Sequence, residues 1–174
     1  MISIRKINES EVELLQDISR KTFFETFAES NSTENMKKYL EENLSTERLS
    51  SELNNPSSLF YFAEKDKEVI GYLKLNKGDA QTELQDNRSL EIERIYVAKQ
   101  YQGLKVGQQL FSFAINVAKE INADYVWLGV WEENTKAINF YKKNGLIEFD
   151  RHKFILGDDE QTDIMMKLPL HLDL

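Results

Sequence analysis

The chain has 174 residues, 41% of them hydrophobic, which suits one compact domain with a full core and would cramp two. Its formal net charge of -8 argues against a nucleic-acid partner, whose phosphates reward clustered Lys and Arg; it suits a cationic substrate, though by itself it is more simply read as keeping the protein in solution. The absence of cysteine excludes disulfides, thiolate metal sites and a cysteine nucleophile, and His152 and His171 are too far apart to form a recognisable ligand pair, so no metal is expected.

The opening MISIRKINES lacks the basic start and apolar centre of a secretory signal. No apolar run approaches the roughly 18 residues of a bilayer span, so a cytoplasmic protein with no membrane contact is expected. ISIRKI (2–7) alternates as a strand does. Asn8 or Ser10 can cap a helix whose apolar positions Val12, Leu15, Ile18, Phe23 and Phe27 recur near helical spacing. Asn31 and Ser32 interrupt it. NSTENMKKYLEENLS predicts a second helix capped by Ser32 or Thr33, and STERLSSELNN a short third. SLFYFAEK (58–65) and VIGYLKLN (69–76), joined at Asp66-Lys67, predict a hairpin. After a polar loop from Lys77 to Arg88, LEIERIYV is a central strand, VGQQLFSFAINVAKEI a helix and DYVWLGVW a buried strand. NTKAINFYKKNG is a helix ended by Gly145, and LIEFDRHKFIL and QTDIMMKL flank a GDD turn as a last hairpin.

Early helices, a hairpin, and then strand, helix, strand, helix, strand describe an α/β layered domain with a mixed sheet. Residues 90–146 hold two right-handed crossover units if their strands are parallel neighbours. Ligands of such sheets bind outside the carboxyl ends of strands, which points to the loop from Tyr101 to Val106. Gly103 and Gly107 allow close backbone approach there, and the following helix N-terminus offers unpaired N–H groups to a phosphate or diphosphate. Glycines before a helix serve equally as plain turn residues. Residues 134–146 likewise read either as an ordinary capped amphipathic helix or as part of a site.

Gln102-Gly103-Leu104-Lys105-Val106-Gly107 and the run from Asn134 to Gly145 together resemble the acetyl-CoA-binding signatures of the GNAT superfamily of N-acetyltransferases. One departure is Lys105, where the family usually has its first glycine; a left-handed backbone there would be strained. ETFAESNSTENMKKYLEE, SLEIERIYV, WLGVWEENTKAINFYKKNG and GDDEQTDIMMK further resemble the bacterial Pai-type spermidine/spermine N-acetyltransferases. The resemblance implies one GNAT domain over residues 1–174, with a three-layer α/β fold whose mixed, mostly antiparallel sheet is flanked by helices. It implies acetyl-CoA as cosubstrate, no metal, and direct transfer of acetyl to a primary amine, a polyamine such as spermidine or spermine. Oligomeric state is left open, a homodimer included.

Amine acetylation needs a neutral amine, yet a primary amine near pKa 10 is protonated at neutral pH, so a base is required. The resemblance places Glu91 and Glu93 beside the thioester. Their spacing of two predicts a shared face, where mutual repulsion raises one pKa, with Glu93 the first choice of base and Glu91 the second. Solvation, or pairing with Arg94 or Arg88, is the alternative for either. By the same resemblance the backbone of Ile95, Tyr96 and Val97 holds the pantetheine arm, with an N–H near Val97 polarising the thioester carbonyl. Tyr141 protonates the departing thiolate, and Asn134 and Lys143 contact the cofactor. For the acceptor, Glu25, Glu29, Glu34, Asp159 and Glu160 with Phe24, Phe27 and Tyr39 could hold a polycation or simply form a solvated face. A peptide N-acetyltransferase and a non-catalytic CoA-binding regulator are the rival readings.

Overall fold

The computed structural model describes residues 1–170; His171 lies outside them. β1 (Ile2–Lys6) leads through a short turn, in which the Asn8 N–H donates to Glu11 Oε1 at 3.0 Å, into α1 (Val12–Phe27). Leu15, Ile18, Phe23 and Phe27 are buried along one face of α1, as their spacing predicts. α2 (Thr33–Asn43) and α3 (Thr46–Asn54) each begin at a serine whose hydroxyl caps the first turn: Ser32 accepts from Asn35 N–H at 3.0 Å and Ser45 from Arg48 N–H at 3.2 Å. β2 (Ser58–Lys65) and β3 (Glu68–Lys77) form the hairpin, then come β4 (Ser89–Val97), α4 (Val106–Glu120), β5 (Tyr125–Trp131), α5 (Thr135–Lys143), β6 (Ile147–Leu156) and β7 (Asp159–Pro169).

The seven strands form one sheet in the order β1-β2-β3-β4-β5-β7-β6. Among the described residues only β4 and β5 are paired in parallel; the other neighbours are antiparallel. The sequence reading offered two crossovers between parallel neighbours, and the sheet contains one, β4-α4-β5. β7 returns antiparallel from the last turn and inserts between β5 and β6, so those two strands are not hydrogen-bonded to each other.

Each face of the sheet has its own core. One packs Leu73, Leu75, Leu90, Ile92, Val126 and Leu128 with Leu110, Phe111 and Ala114 of α4 and Ile138 of α5. The other packs Phe60, Phe62, Tyr72 and Trp131 against Leu15, Phe23 and Phe27 of α1, Met36 of α2 and Leu49 of α3. Each fully buried large apolar side chain contributes about 1.5–3 kcal/mol. The result is a helix, sheet, helix sandwich.

A bulge in β4 positions the site. Lys74 pairs with Arg94 and the next β3 residue, Leu75, with Ile92, so Glu93 is the extra residue. The bulge changes the phase of the strand. Leu90, Ile92, Ile95 and Val97 all face the α4 core, while Tyr96 packs into the α1 core on the other face. Without it, Ile95 would share a face with Glu91 instead. At the strand's end Gly71 of β3 sits opposite Val97, and a Cβ there would lie 2.6 Å from the Tyr96 carbonyl oxygen, so only glycine permits this approach.

Candidate active site

β4 and β5 are paired over three residues only, Ser89 with Tyr125, Leu90 with Val126 and Glu91 with Trp127. Beyond Glu91 they part, with no further β4–β5 pairing among the described residues. Alternate N–H and C=O groups of Ile92–Val97 therefore face an opening rather than a partner strand. A cleft of about 1040 Å³ runs through it, with Ile95, Tyr96 and Val97 on one wall and Gly129, Val130 and Trp131 on the other.

At one mouth of this cleft lies the loop into α4. Glu25 of α1 accepts from Lys99 N–H at 3.0 Å, and the Gln102 side-chain amide donates to the Val97 carbonyl at 3.1 Å, which ties the loop to the strand end. Gly103 has φ +87° and Lys105 φ 63° and ψ 20°, so the lysine does adopt the left-handed conformation that strains an L-residue. The first hydrogen bond of the α4 ladder runs from Gln109 N–H to the Lys105 carbonyl, at 3.1 Å. The N–H groups of Val106, Gly107 and Gln108 therefore precede the ladder, at the positive end of the helix dipole. A Cβ at Gly103 would meet nothing within 4 Å, and one at Gly107 only Val97 Cγ2 at 4.0 Å. The open space beside both glycines, with Lys105, Lys136 and Lys143 on the cleft wall, fits a diphosphate.

α5 lines the same mouth. Asn134 caps it, accepting from Ala137 N–H at 3.2 Å, and Gly145 closes it with N–H bonds from Gly145 to Lys142 and from Leu146 to Tyr141. Tyr141 packs edge-on to Phe140, its ring is nearly buried, and burial pushes its phenol pKa up. Its hydroxyl has no hydrogen-bond partner among the described residues, and the side chain lines the cleft.

The opposite half of the cleft, on the α1 face, is acidic and aromatic. Glu91 and Glu93 share a face as expected, joined by Asn76, whose amide donates to Glu91 Oε1 at 3.0 Å and to Glu93 Oε1 at 2.8 Å. They are not equivalent. Glu93 lies 2.7 Å from Lys74 Nζ and 3.2 Å from Arg94 Nε, and Glu52 bridges the same two cations at 3.0 and 3.1 Å. Burial opposes its ionisation, but Arg94 and Lys74 outweigh that and hold its pKa down to about 2. Glu91 is 3% exposed and accepts from Thr82 N–H at 2.8 Å and Thr82 Oγ1 at 2.6 Å. Burial raises its pKa against those hydrogen bonds, with Glu93 adding to the rise. The expected order of basicity, Glu93 before Glu91, is thus reversed by the neighbouring cations. Arg88, the other offered partner, pairs with Asp86 instead.

Of the sequence-derived site residues, Glu91, Glu93, Ile95, Tyr96, Val97, Gln102, Gly103, Lys105, Val106, Gly107, Asn134, Tyr141 and Lys143 line the cleft. Leu104 does not, and is 52% exposed. Of the acceptor set, Phe27 and Tyr39 line it, joined by Trp131 and Phe154. Phe27 stands 5.5 Å from Trp131 and Tyr39 6.2 Å from Phe154, between ring centres. The acids of that set do not line it: Glu25 holds the loop, Glu160 pairs with Lys153 and Asp159 bonds Gln161, while Glu29, Glu34 and the exposed Phe24 also lie outside its lining. Sequence reasoning missed Glu83, Asp163 and His152, which do line the cleft. Glu83 comes from the loop after β3, His152 from β6 and Asp163 from β7, and no spacing within the chain brings the three together.

The model of the acetyltransferase (GNAT) family matches residues 13–146. The chain belongs to the GNAT acetyltransferase family. An uncharacterized N-acetyltransferase in the pepI 3' region of Lactobacillus delbrueckii subsp. lactis is 46% identical over 169 residues, 97% of this chain and 98% of that protein. A spermidine N(1)-acetyltransferase of Thermoplasma acidophilum is 27% identical over 170 residues, covering 95% of this chain and 96% of the relative. The crystal structure of the PaiA N-acetyltransferase from Thermoplasma acidophilum in complex with coenzyme A superposes with a TM-score of 0.80 at 26% identity, covering 98% and 99% of the two chains. This GNAT chain is accordingly an N-acetyltransferase that uses acetyl-CoA. Among the described residues, no group of three His, Cys, Asp or Glu side chains could hold a metal ion, and no helix is long and apolar enough to cross a membrane.

Proposed function

We propose that this GNAT enzyme, as one domain over residues 1–174, transfers acetyl from acetyl-CoA to a primary amine of a polyamine such as spermidine or spermine, by direct attack in a ternary complex. The observation that carries the acceptor class is the division of the cleft. Its α4 end is lined by lysines and free main-chain N–H groups, and its far end by Glu83 and Glu91, with Glu93 paired to Arg94, beside the aromatic rings of Phe27, Tyr39 and Trp131. An anion belongs at the first and a cation at the second, where charge and ring faces both attract an ammonium. The similarity to a spermidine N(1)-acetyltransferase supports the same acceptor.

The residues divide the chemistry. Main-chain N–H groups of Gly103 to Gly107 take the diphosphate, assisted by Lys143 and with Asn134 at the α5 end, and the free edge of Ile95–Val97 takes the amide groups of the pantetheine arm. An N–H near Val97 stabilises negative charge on the thioester carbonyl oxygen as the amine attacks. Tyr141, kept protonated by its buried surroundings, donates its proton to the departing sulfur. Glu93 stays ionised across the working pH range, paired with Lys74 and Arg94. Glu91 is the member of the β4 pair with raised proton affinity. With no cysteine in the chain, no thioester acyl-enzyme forms.

Initial rates of CoA release with spermidine, spermine and a short lysine-containing peptide test this reading. Polyamine rates above the peptide's, with intersecting double-reciprocal lines, are expected. A peptide far outpacing both polyamines contradicts the acceptor, and parallel lines contradict the ternary complex.

A further inference from the structure

A third carboxylate stands where the β4 pair does not reach. Asp163 of β7 is in register with Trp131 of β5, on the α1 face of the sheet. Continuing the parallel register of Glu91 with Trp127 along both strands, and allowing for the extra residue at Glu93, brings Trp131, and with it Asp163, level with Tyr96. That is the stretch of β4 whose free edge faces the opening. The Asp163 carboxylate leans over Gly129, its Oδ2 lying 3.5 Å from where a Cβ would be, so the missing side chain leaves the carboxylate open to the cleft. Among the described residues it makes no hydrogen bond and no ion pair, unlike Glu91, whose oxygens already accept three hydrogen bonds, and Glu93, which is held by two cations.

We propose that Asp163 is the catalytic residue that takes the proton from the acceptor ammonium, directly or through one water, as the amine nitrogen reaches the thioester; this rests on the amine-acetyltransferase reading above. The ammonium loses one proton to the Asp163 carboxylate and becomes a neutral amine. Its lone pair forms the bond to the carbonyl carbon, the C–S bond breaks, and the sulfur takes the Tyr141 proton. The second amine proton returns to the Tyr141 oxygen through water, and the Asp163 proton leaves to solvent through the cleft, giving amide, thiol and one released proton.

The charges around Asp163 suit this role. Burial raises its pKa to about 6, against the pull of His152, which faces it across the β6–β7 ladder. His152 Nε2 is itself 2.9 Å from Glu83 Oε1 of the loop after β3. Across the cleft stand Glu91, Glu93 and Arg94 of β4, and β5 contributes no charged group at this level. A base of that strength is ionised at neutral pH yet still binds a proton well.

The test compares wild-type enzyme with Asp163→Asn and Asp163→Glu, using as acceptor whichever of spermidine, spermine, putrescine and a lysine peptide the wild type acetylates fastest. Asp163→Asn is expected to lower kcat at pH 7 by about 100-fold. KM for the amine and the Kd for acetyl-CoA should stay within about 3-fold, since a base acts in the transition state rather than in binding. The wild-type acid limb near pH 6 should vanish, the deficit should shrink towards pH 9.5 as solvent deprotonates the amine, and Asp163→Glu should recover part of the rate. Unchanged melting temperature and acetyl-CoA binding in Asp163→Asn separate this from misfolding. A rise in KM with kcat intact makes Asp163 an ammonium anchor and overturns the proposal, as does an unaltered pH profile. Failure of the wild type to acetylate any of the four amines removes the amine reading itself, and the Asp163 role with it.

Discussion

Lys105 is held at φ 63°, a left-handed conformation that costs an L-residue about 1–2 kcal/mol and glycine almost nothing. Lys105→Gly removes that cost while enlarging the unfolded ensemble by about 0.5–1 kcal/mol, for a net stabilisation of about 0.5–1 kcal/mol. In a chain of this size the melting temperature then rises by about 1–4 °C. Lys105→Ala keeps the left-handed cost and should leave the melting temperature within about 1 °C of wild type. Both variants lose the ammonium. Because Lys105 is exposed, its attraction for a diphosphate is that of a surface pair, about 0.2–1 kcal/mol, so affinity for acetyl-CoA falls by about 1.4- to 5-fold in both, and less at high salt. Thermal melts without ligand and titration calorimetry with acetyl-CoA read the two effects separately. A lower melting temperature in the glycine variant would refute the strain argument. A loss above about 50-fold in both variants would mean that the side chain, rather than the main chain, grips the phosphates.

Tyr141→Phe is expected to lower kcat by about 100-fold with the acetyl-CoA Kd unchanged, and activity with a good leaving thiol in place of CoA should recover most of it; an unaltered kcat removes Tyr141 from the chemistry. Glu93→Gln leaves Lys74 and Arg94 facing Glu52 alone, and should cost about 2 kcal/mol at pH 7 in a urea melt, less than the usual 3–5 for breaking a buried pair because Glu52 remains. Glu93's folded pKa of about 2 lies below its ordinary 4.5, so its contribution is fully present above pH 4.5 and is lost as pH falls towards 2. The stability gap between wild type and Glu93→Gln should therefore close over that window, and a gap independent of pH contradicts the ion-pair account.

Much of this architecture could be read from periodicity because each element buries one face. The spacing of Leu15, Ile18, Phe23 and Phe27 gave α1, and two apolar runs joined at the charged Asp66-Lys67 turn gave the β2–β3 hairpin. Strand order was less legible: alternation tells which face of β7 is buried and nothing about which free edge it joins, so its insertion between β5 and β6 was not foreseen. The bulge at Glu93 did leave a trace. Apolar residues at 90 and 92 resume at 95 and 97, a slip of one in the period of two, which is what an extra residue produces. The loop residues 102–107 were legible because a backbone site needs glycines and a following helix, both visible in one chain. The charges around the acceptor were not, because Lys74, Glu52 and Asp163 come from three distant segments, and a pKa depends on who stands next to whom across the fold.

The central claim is that main-chain amides at the start of α4 and along the free edge of β4 hold acetyl-CoA. Backbone amide chemical shifts recorded during an acetyl-CoA titration test it most directly. The account predicts the largest changes at residues 95–97 and 103–108, with small ones along α2 and α3. Changes centred on α2 and α3, with residues 103–108 unmoved at saturation, would contradict it.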